Sequence, residues 1–130
     1  MGRAVRVCQR VGMTVSPADP GPVAEVHLTE HAAVVTLSGA LDMDSAPLLH
    51  WAVEDARASG KQIVVDVAHL SFLDLPPLHE LLAPLEDGRS VWIAGPLAAE
   101  PRRLLQATGT DRALRFFPHV RDALAAAAPG

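Results

Sequence analysis

The chain has 130 residues, a formal net charge of −4 and a single cysteine, Cys8. That length suits one domain with a core of its own, and one cysteine excludes both a disulfide framework and a thiolate metal cluster. The first twelve residues hold Arg3, Arg6 and Arg10 and no acid, so their +3 leaves −7 on the other 118, a poor balance for binding nucleic acid or anionic membrane.

Residues 1–22 read as a flexible leader: 1–12 show no convincing periodicity, and 14–22, TVSPADPGP, are proline-rich. Met1 and Met13 both stand open as the natural start of translation. No apolar run is long enough to span a membrane and the N-terminus has no signal-peptide core, so a cytoplasmic location without direct membrane insertion is expected. Two apolar runs, 23–28 and 32–38, flank the polar Thr29-Glu30-His31 and predict a β-hairpin. Gly39-Ala40-Leu41-Asp42 then leaves the sheet. Asp44 or Ser45 is placed to cap a helix with Pro47 in its first turn, its inner face formed by Leu48, Trp51, Ala52 and Ala56, and its end at Gly60.

Ile63, Val64, Val65 and Val67 make a nearly continuous β-branched run, the pattern of a strand covered on both faces. Leu78, Leu81, Leu82 and Leu85 follow at the spacing of one helical stripe. Between them lies Phe72-Leu73-Asp74-Leu75-Pro76-Pro77, in which Asp74 can cap the helix and the two prolines fit a first turn whose amides have no intrahelical partner. Pro84 cannot donate to the carbonyl of Glu80, so the helix should bend or stop there. Asp87-Gly88 is the next turn, 91–94 a strand, and Gly95-Pro96 leads to a helix with Pro101 in its first turn, Leu104 and Leu105 inward, and Thr108-Gly109 at its end. A short strand at 114–117, a helix at 118–127 and a tail at 128–130 complete the order ββαβαβαβα. This is an α/β domain over 23–127, with a mixed sheet and covering helices.

Catalytic signatures are missing. His79-Glu80 begins like a zinc-protease motif, but position 83 is alanine, and the six histidines have no ligand spacing. Neither a glycine-rich phosphate loop nor a nucleophile elbow is present. Trp51 and Trp92 lie on apolar faces and read as core. Asp42, Asp66 and Asp74 invite comparison with a receiver domain's acid cluster, but that fold needs a lysine at the end of its last strand, and the only lysine, Lys61, precedes the central strand. Asp74 capping a helix, Asp42 a turn, and Asp66 taking donors from an adjoining loop is the simpler account. No catalytic residue, cofactor or metal site is expected.

From about 23 to 127 the chain resembles a STAS domain, the fold of the bacterial anti-sigma factor antagonists. The likeness is carried in order by the hairpin running into Gly39-x-Leu41-Asp42, by Val64-Val65-Asp66-Val67 with Phe72-Leu73-Asp74 and a helix, and by Gly95-Pro96, Leu104-Leu105-x-x-Thr108-Gly109-x-Asp111 and a closing helix. The resemblance implies a partner, an anti-sigma factor of the ATP-binding serine-kinase type or another regulatory protein, and a contact surface at Asp42, Asp74, Leu75, Pro76, Pro77, Leu78 and His79. In the antagonists, the acid at the position of Asp74 is followed by a phosphorylatable serine or threonine, another small residue and glycine. Here Leu75, Pro76 and Pro77 stand in those places and none has a hydroxyl, so Leu75 marks a degenerate phosphosite. The helix that follows is also a turn or more shorter than is usual in the family. The expected function is non-catalytic binding without a phosphorylation switch. Two alternatives are the STAS subunit of a bacterial lipid-transport ABC complex and, in a different class, a small acid-cluster phospho-acceptor or metal-dependent enzyme.

Overall fold

The computed structural model describes residues 4–9, as backbone, and 22–129. Its strands are β1 (Ala4–Gln9), β2 (Val23–Leu28), β3 (Ala32–Leu41), β4 (Gln62–Leu73), β5 (Val91–Ala94) and β6 (Arg115–Phe117), and its helices are α1 (Ala46–Ala58), α2 (Leu75–Glu86), α3 (Ala99–Thr108) and α4 (Val120–Ala127). The strands form one sheet in sequence order. β1, β2 and β3 pair antiparallel, and β3, β4, β5 and β6 pair parallel. From Val23 onward the order is the one the hydrophobic periodicity predicts, and the sheet is mixed as expected.

β1 departs from the sequence reading. Ala4–Gln9 pairs with β2 along its whole length, from Ala4 opposite Leu28 to Gln9 opposite Val23. A six-residue edge strand is held by its ladder hydrogen bonds to a partner, and that partner leaves no periodic trace in the strand's own sequence. The rest of the expected leader, 1–3 and 10–21, lies outside the described residues, so the choice between Met1 and Met13 does too.

The core is divided by the sheet. On one face Val26, Val35, Leu37, Ile63, Val65, Val91 and Ile93 pack with Leu49 and Val53 of α1, Leu78 and Leu81 of α2, and Leu105 of α3. On the other, Ala32, Val34, Val64 and Ala94 pack with Ala123 of α4, joined by the half-buried Trp92 and Phe117. Ile63, Val64 and Val65 are each at most 1% exposed, so the β-branched run is covered on both faces. The Arg115 guanidinium lies 5.0 Å from the Trp92 ring and 4.7 Å from that of Phe117, a cation–π stack fastening β6 to β5.

The local expectations for the helices are met in part. The inner face of α1 is Leu48, Leu49, Ala52, Val53 and Ala56, while Trp51 stands 47% exposed. Ser45 is the N-cap residue of α1, one of the two expected, but it is fully buried and makes no capping bond with its side chain, and a 3-10 turn, Met43–Ser45, precedes the helix. α2 includes Pro84 and ends two residues later, near the proline as expected. So near the end of a helix, a proline forfeits a single hydrogen bond. The Pro84 carbonyl then closes the terminus by accepting from Asp87 N at 3.1 Å and Arg89 N at 3.0 Å.

In the leucine stripe of α2, Leu81 is buried at 4% exposure and Leu82 half-buried. Leu81→Ala should destabilise the domain by about 2–5 kcal/mol in urea unfolding, and a change below about 0.5 kcal/mol would place that side chain at the surface. Deleting residues 1–12 removes β1 and leaves the β2 edge unpaired. It should lower Tm by about 4 °C or more, the shift that 1 kcal/mol produces in a domain of about 100 residues, and an unchanged Tm would show that β1 adds nothing to the fold.

Candidate functional site

β3 and β4 run parallel, and at their C-terminal ends Leu41 lies opposite Leu73. The two chains therefore leave the sheet side by side, Asp42 following one strand and Asp74 the other, and Asp74 N still donates to Leu41 O at 2.9 Å. Each acid then starts a helical segment. Asp42 Oδ1 accepts from Asp44 N at 3.1 Å and from the Ser45 hydroxyl at 3.2 Å. Asp74 Oδ1 accepts from Leu75 N at 2.9 Å. Both act as caps, as read from the sequence, and the Ser45 hydroxyl serves Asp42 instead of α1.

The first turn of α2 has an uncommon donor count. A helix N-terminus normally presents several free amides, which makes it a natural anion site. Here Pro76 and Pro77 have no N–H, and Leu78 N already donates to Asp74 O at 3.1 Å. Leu75 supplies the one remaining amide, and the Asp74 carboxylate occupies it. The terminus is closed to an external anion twice over, by missing donors and by a resident negative charge.

Around the two acids stand exposed apolar side chains. Leu75 is 42% exposed, Phe72 37% and Met43 62%. Phe72 pairs with Ala40 in the β3–β4 ladder, Met43 opens the turn after Asp42, and Leu75 opens α2, so all three lie at the same end of the sheet. Met43 was not among the residues singled out from the sequence. Its only local signal is an apolar side chain set between two acids, in a turn with no helical stripe to join. Of the predicted contact residues, Asp42, Leu75 and His79 are exposed, and Asp74 and Pro76 are half-buried. Pro77 and Leu78 are instead buried in the core, Leu78 at 2% exposure, and support the loop from beneath. His50 Nδ1 and Glu80 Oε1, 2.9 Å apart, link α1 to α2 beside this surface.

The third acid belongs elsewhere. Asp66 is opposite Thr36, seven positions before Leu73 on β4, a distance along the strand of roughly 20 Å. Its Oδ1 accepts from Ala68 N at 3.1 Å, a donor from its own strand and not from an adjoining loop. Asp42, Asp66 and Asp74 therefore do not form one cluster, and among the described residues no three His, Cys, Asp or Glu side chains converge as a metal-ligand set. A cavity of about 10 Å³ beneath α2 and α3 is lined wholly by apolar side chains and has room for at most one water. Among the described residues no helix is long and apolar enough to cross a membrane.

Removing the Asp74 cap should be measurable in the free protein. Asp74→Ala should cost about 0.5–2 kcal/mol in urea unfolding and Asp74→Asn much less, since an amide oxygen can still accept from Leu75 N. Equal stability of Asp74→Ala and the wild type would mean that the carboxylate does not hold the helix start.

The family model described as Mlab, STAS domain, matches residues 24–127. Among solved structures, an anti-sigma factor antagonist from Mycobacterium paratuberculosis aligns with a TM-score of 0.69 at 28% sequence identity, covering 88% of this chain and 98% of that one. The Bacillus cell fate determinant SpoIIAA in its phosphorylated form aligns with a TM-score of 0.62 at 17% identity, covering 81% of this chain and 99% of that one. The unphosphorylated form of SpoIIAA, an anti-sigma factor antagonist, gives 0.54 at 17% identity, covering 75% and 89%. At that identity the SpoIIAA structures establish a shared fold. No curated protein matches the sequence. With the family match running from β2 to the end of α4, and the same fold found in these structures, the chain belongs to the STAS domain family.

Proposed function

We propose that this protein is a non-catalytic interaction module that binds an anti-sigma factor through the C-terminal end of β3 and β4, and that phosphorylation does not switch the binding. The observation that carries the reading is the first turn of α2. Leu75 offers no hydroxyl to phosphorylate, Pro76 and Pro77 offer no amides to hold a phosphate, and Asp74 uses the donor that is left. A phosphate brings about −1.5 to −2 charges and needs donors or cations to be stabilised, and neighbouring acids oppose it. In place of that chemistry the surface presents Met43, Phe72 and Leu75 with Asp42 and Asp74 among them. Such a surface suits a partner with an apolar pocket and basic residues around it. Support for the partner class comes from the Mycobacterium paratuberculosis antagonist, which shares 28% of its sequence with this chain over nearly its whole length.

Binding to a serine-kinase anti-sigma factor of the native host should be independent of that kinase's activity. Incubation with kinase and ATP should leave the mass of residues 74–77 unchanged. The triple variant Leu75→Ser, Pro76→Ser, Pro77→Gly restores a hydroxyl and two amides, and it should take up phosphate at position 75 and lose its complex when ATP is added. Leu75→Ala should weaken the wild-type complex about ten- to hundredfold, the value of burying one leucine in an interface. Failure of the wild type to bind any anti-sigma factor of its host at micromolar concentration would defeat this reading. The STAS subunit of a lipid-transport complex would then be the better account of the same surface.

A further inference from the structure

β5 and β6 also end in parallel, at Ala94 and Phe117, two strands away from the acid-capped loops. Beyond them the chain turns at Gly95, whose amide donates to Phe117 O at 3.0 Å. Gly95 holds φ +101°, and a Cβ there would come within 3.1 Å of Ala68 in the β4 bulge, so position 95 requires glycine. Between this turn, α3 and β6 lies an open cleft of about 520 Å³. Its volume is in the range of small-molecule sites, and it lies outside the carboxyl ends of parallel strands, where ligands of open α/β sheets collect.

The walls have two characters. Leu97, Leu105 and Phe116 supply apolar surface, and Phe116 is left 42% exposed. Arg102, Gln106 and Asp111 supply polar groups to the same cleft. One guanidinium N–H of Arg102 donates to Leu97 O at 3.1 Å, and its other N–H groups have no partner among the described residues. The half-buried Asp111 carboxylate likewise has none, and the two do not pair with each other.

We propose that this cleft binds a free α-amino acid with a large apolar side chain. Its carboxylate would lie against Arg102 and Gln106, its ammonium against Asp111, and its side chain against Phe116, Leu97 and Leu105. An apolar zwitterion satisfies both charges at once. A monoanion or a phosphate would meet the Asp111 carboxylate unshielded, and a monocation would meet Arg102. The site is independent of the surface proposed to bind an anti-sigma factor, and its test uses the protein alone.

The test is titration of the 15N-labelled full chain with L-phenylalanine, followed by amide chemical shifts. Saturable shifts are expected at Gly95, Leu97, Gln106 and Phe116, with Kd on the order of 0.1–1 mM for a ligand of this size. Phenethylamine and 3-phenylpropionate, each lacking one charge, should bind at least about tenfold more weakly, the effect of losing one charge-assisted contact. Arg102→Met and Asp111→Asn should each weaken L-phenylalanine by a similar factor. Both residues are surface-accessible, and an unchanged Tm in each variant keeps the comparison valid. The proposal is overturned by the absence of saturable shifts up to roughly 10 mM of either L-phenylalanine or L-leucine. It is equally overturned by analogues that bind as well as the amino acid, which would mean apolar partitioning only, or by inorganic phosphate binding more tightly, which would make this an anion site.

Discussion

The parallel pairing of β3 with β4 is the constraint on which the rest of the molecule depends. β4 is the longer strand, twelve residues against ten, and the difference is absorbed by register shifts, so that two extra residues of β4 lie between Asp66 and Phe72. Its first half, around Val64, is enclosed by helices on both faces. Its second half runs past the end of β5 and follows β3 alone to Leu73. An unbulged β4 would reach the end of β3 two residues out of step, and Asp74 N would not meet Leu41 O. The bulges thus determine that two acids leave the sheet together.

What the acids do there is settled by hydrogen-bond supply. Each carboxylate is used to begin a helical segment, and the prolines after Asp74 remove the amides that would otherwise face solvent. That arrangement stabilises the loop in one conformation and takes away the means of binding an added anion. The helix start instead carries the exposed apolar side chain of Leu75.

Charge is also divided along the chain. From Ala32 to Ala56 and from Gln62 to Gly88 there is no lysine or arginine, and both acid-capped loops fall in these stretches. Arg102, Arg103, Arg112, Arg115 and Arg121 all belong to the last third, and Arg102 lines the cleft between α3 and β6. The two ends of the parallel strand set thus offer different chemistry, acidic and apolar at β3–β4, mixed and concave at β5–β6.

Much of this was written locally. Four β-branched residues in five positions determined the buried central strand, because only a strand covered on both faces has use for them. Asp74 before two prolines determined where α2 starts, since capping and the missing amides are properties of adjacent residues. The tertiary structure decided what local pattern leaves degenerate. Along α1, Trp51 and the pair Leu49 and Val53 flank Ala52 equally well, and packing on the sheet turned the smaller side chains inward and left the indole outside. Pro77 and Leu78 open the helix beside the expected contact surface, and packing of α2 on the sheet buries them both. β1 exists only because β2 has a free edge, and the cleft is walled by the Gly95 turn, α3 and β6 together. Its two charges, Arg102 and Asp111, lie on separate elements, and no spacing in the chain could show that they share one space.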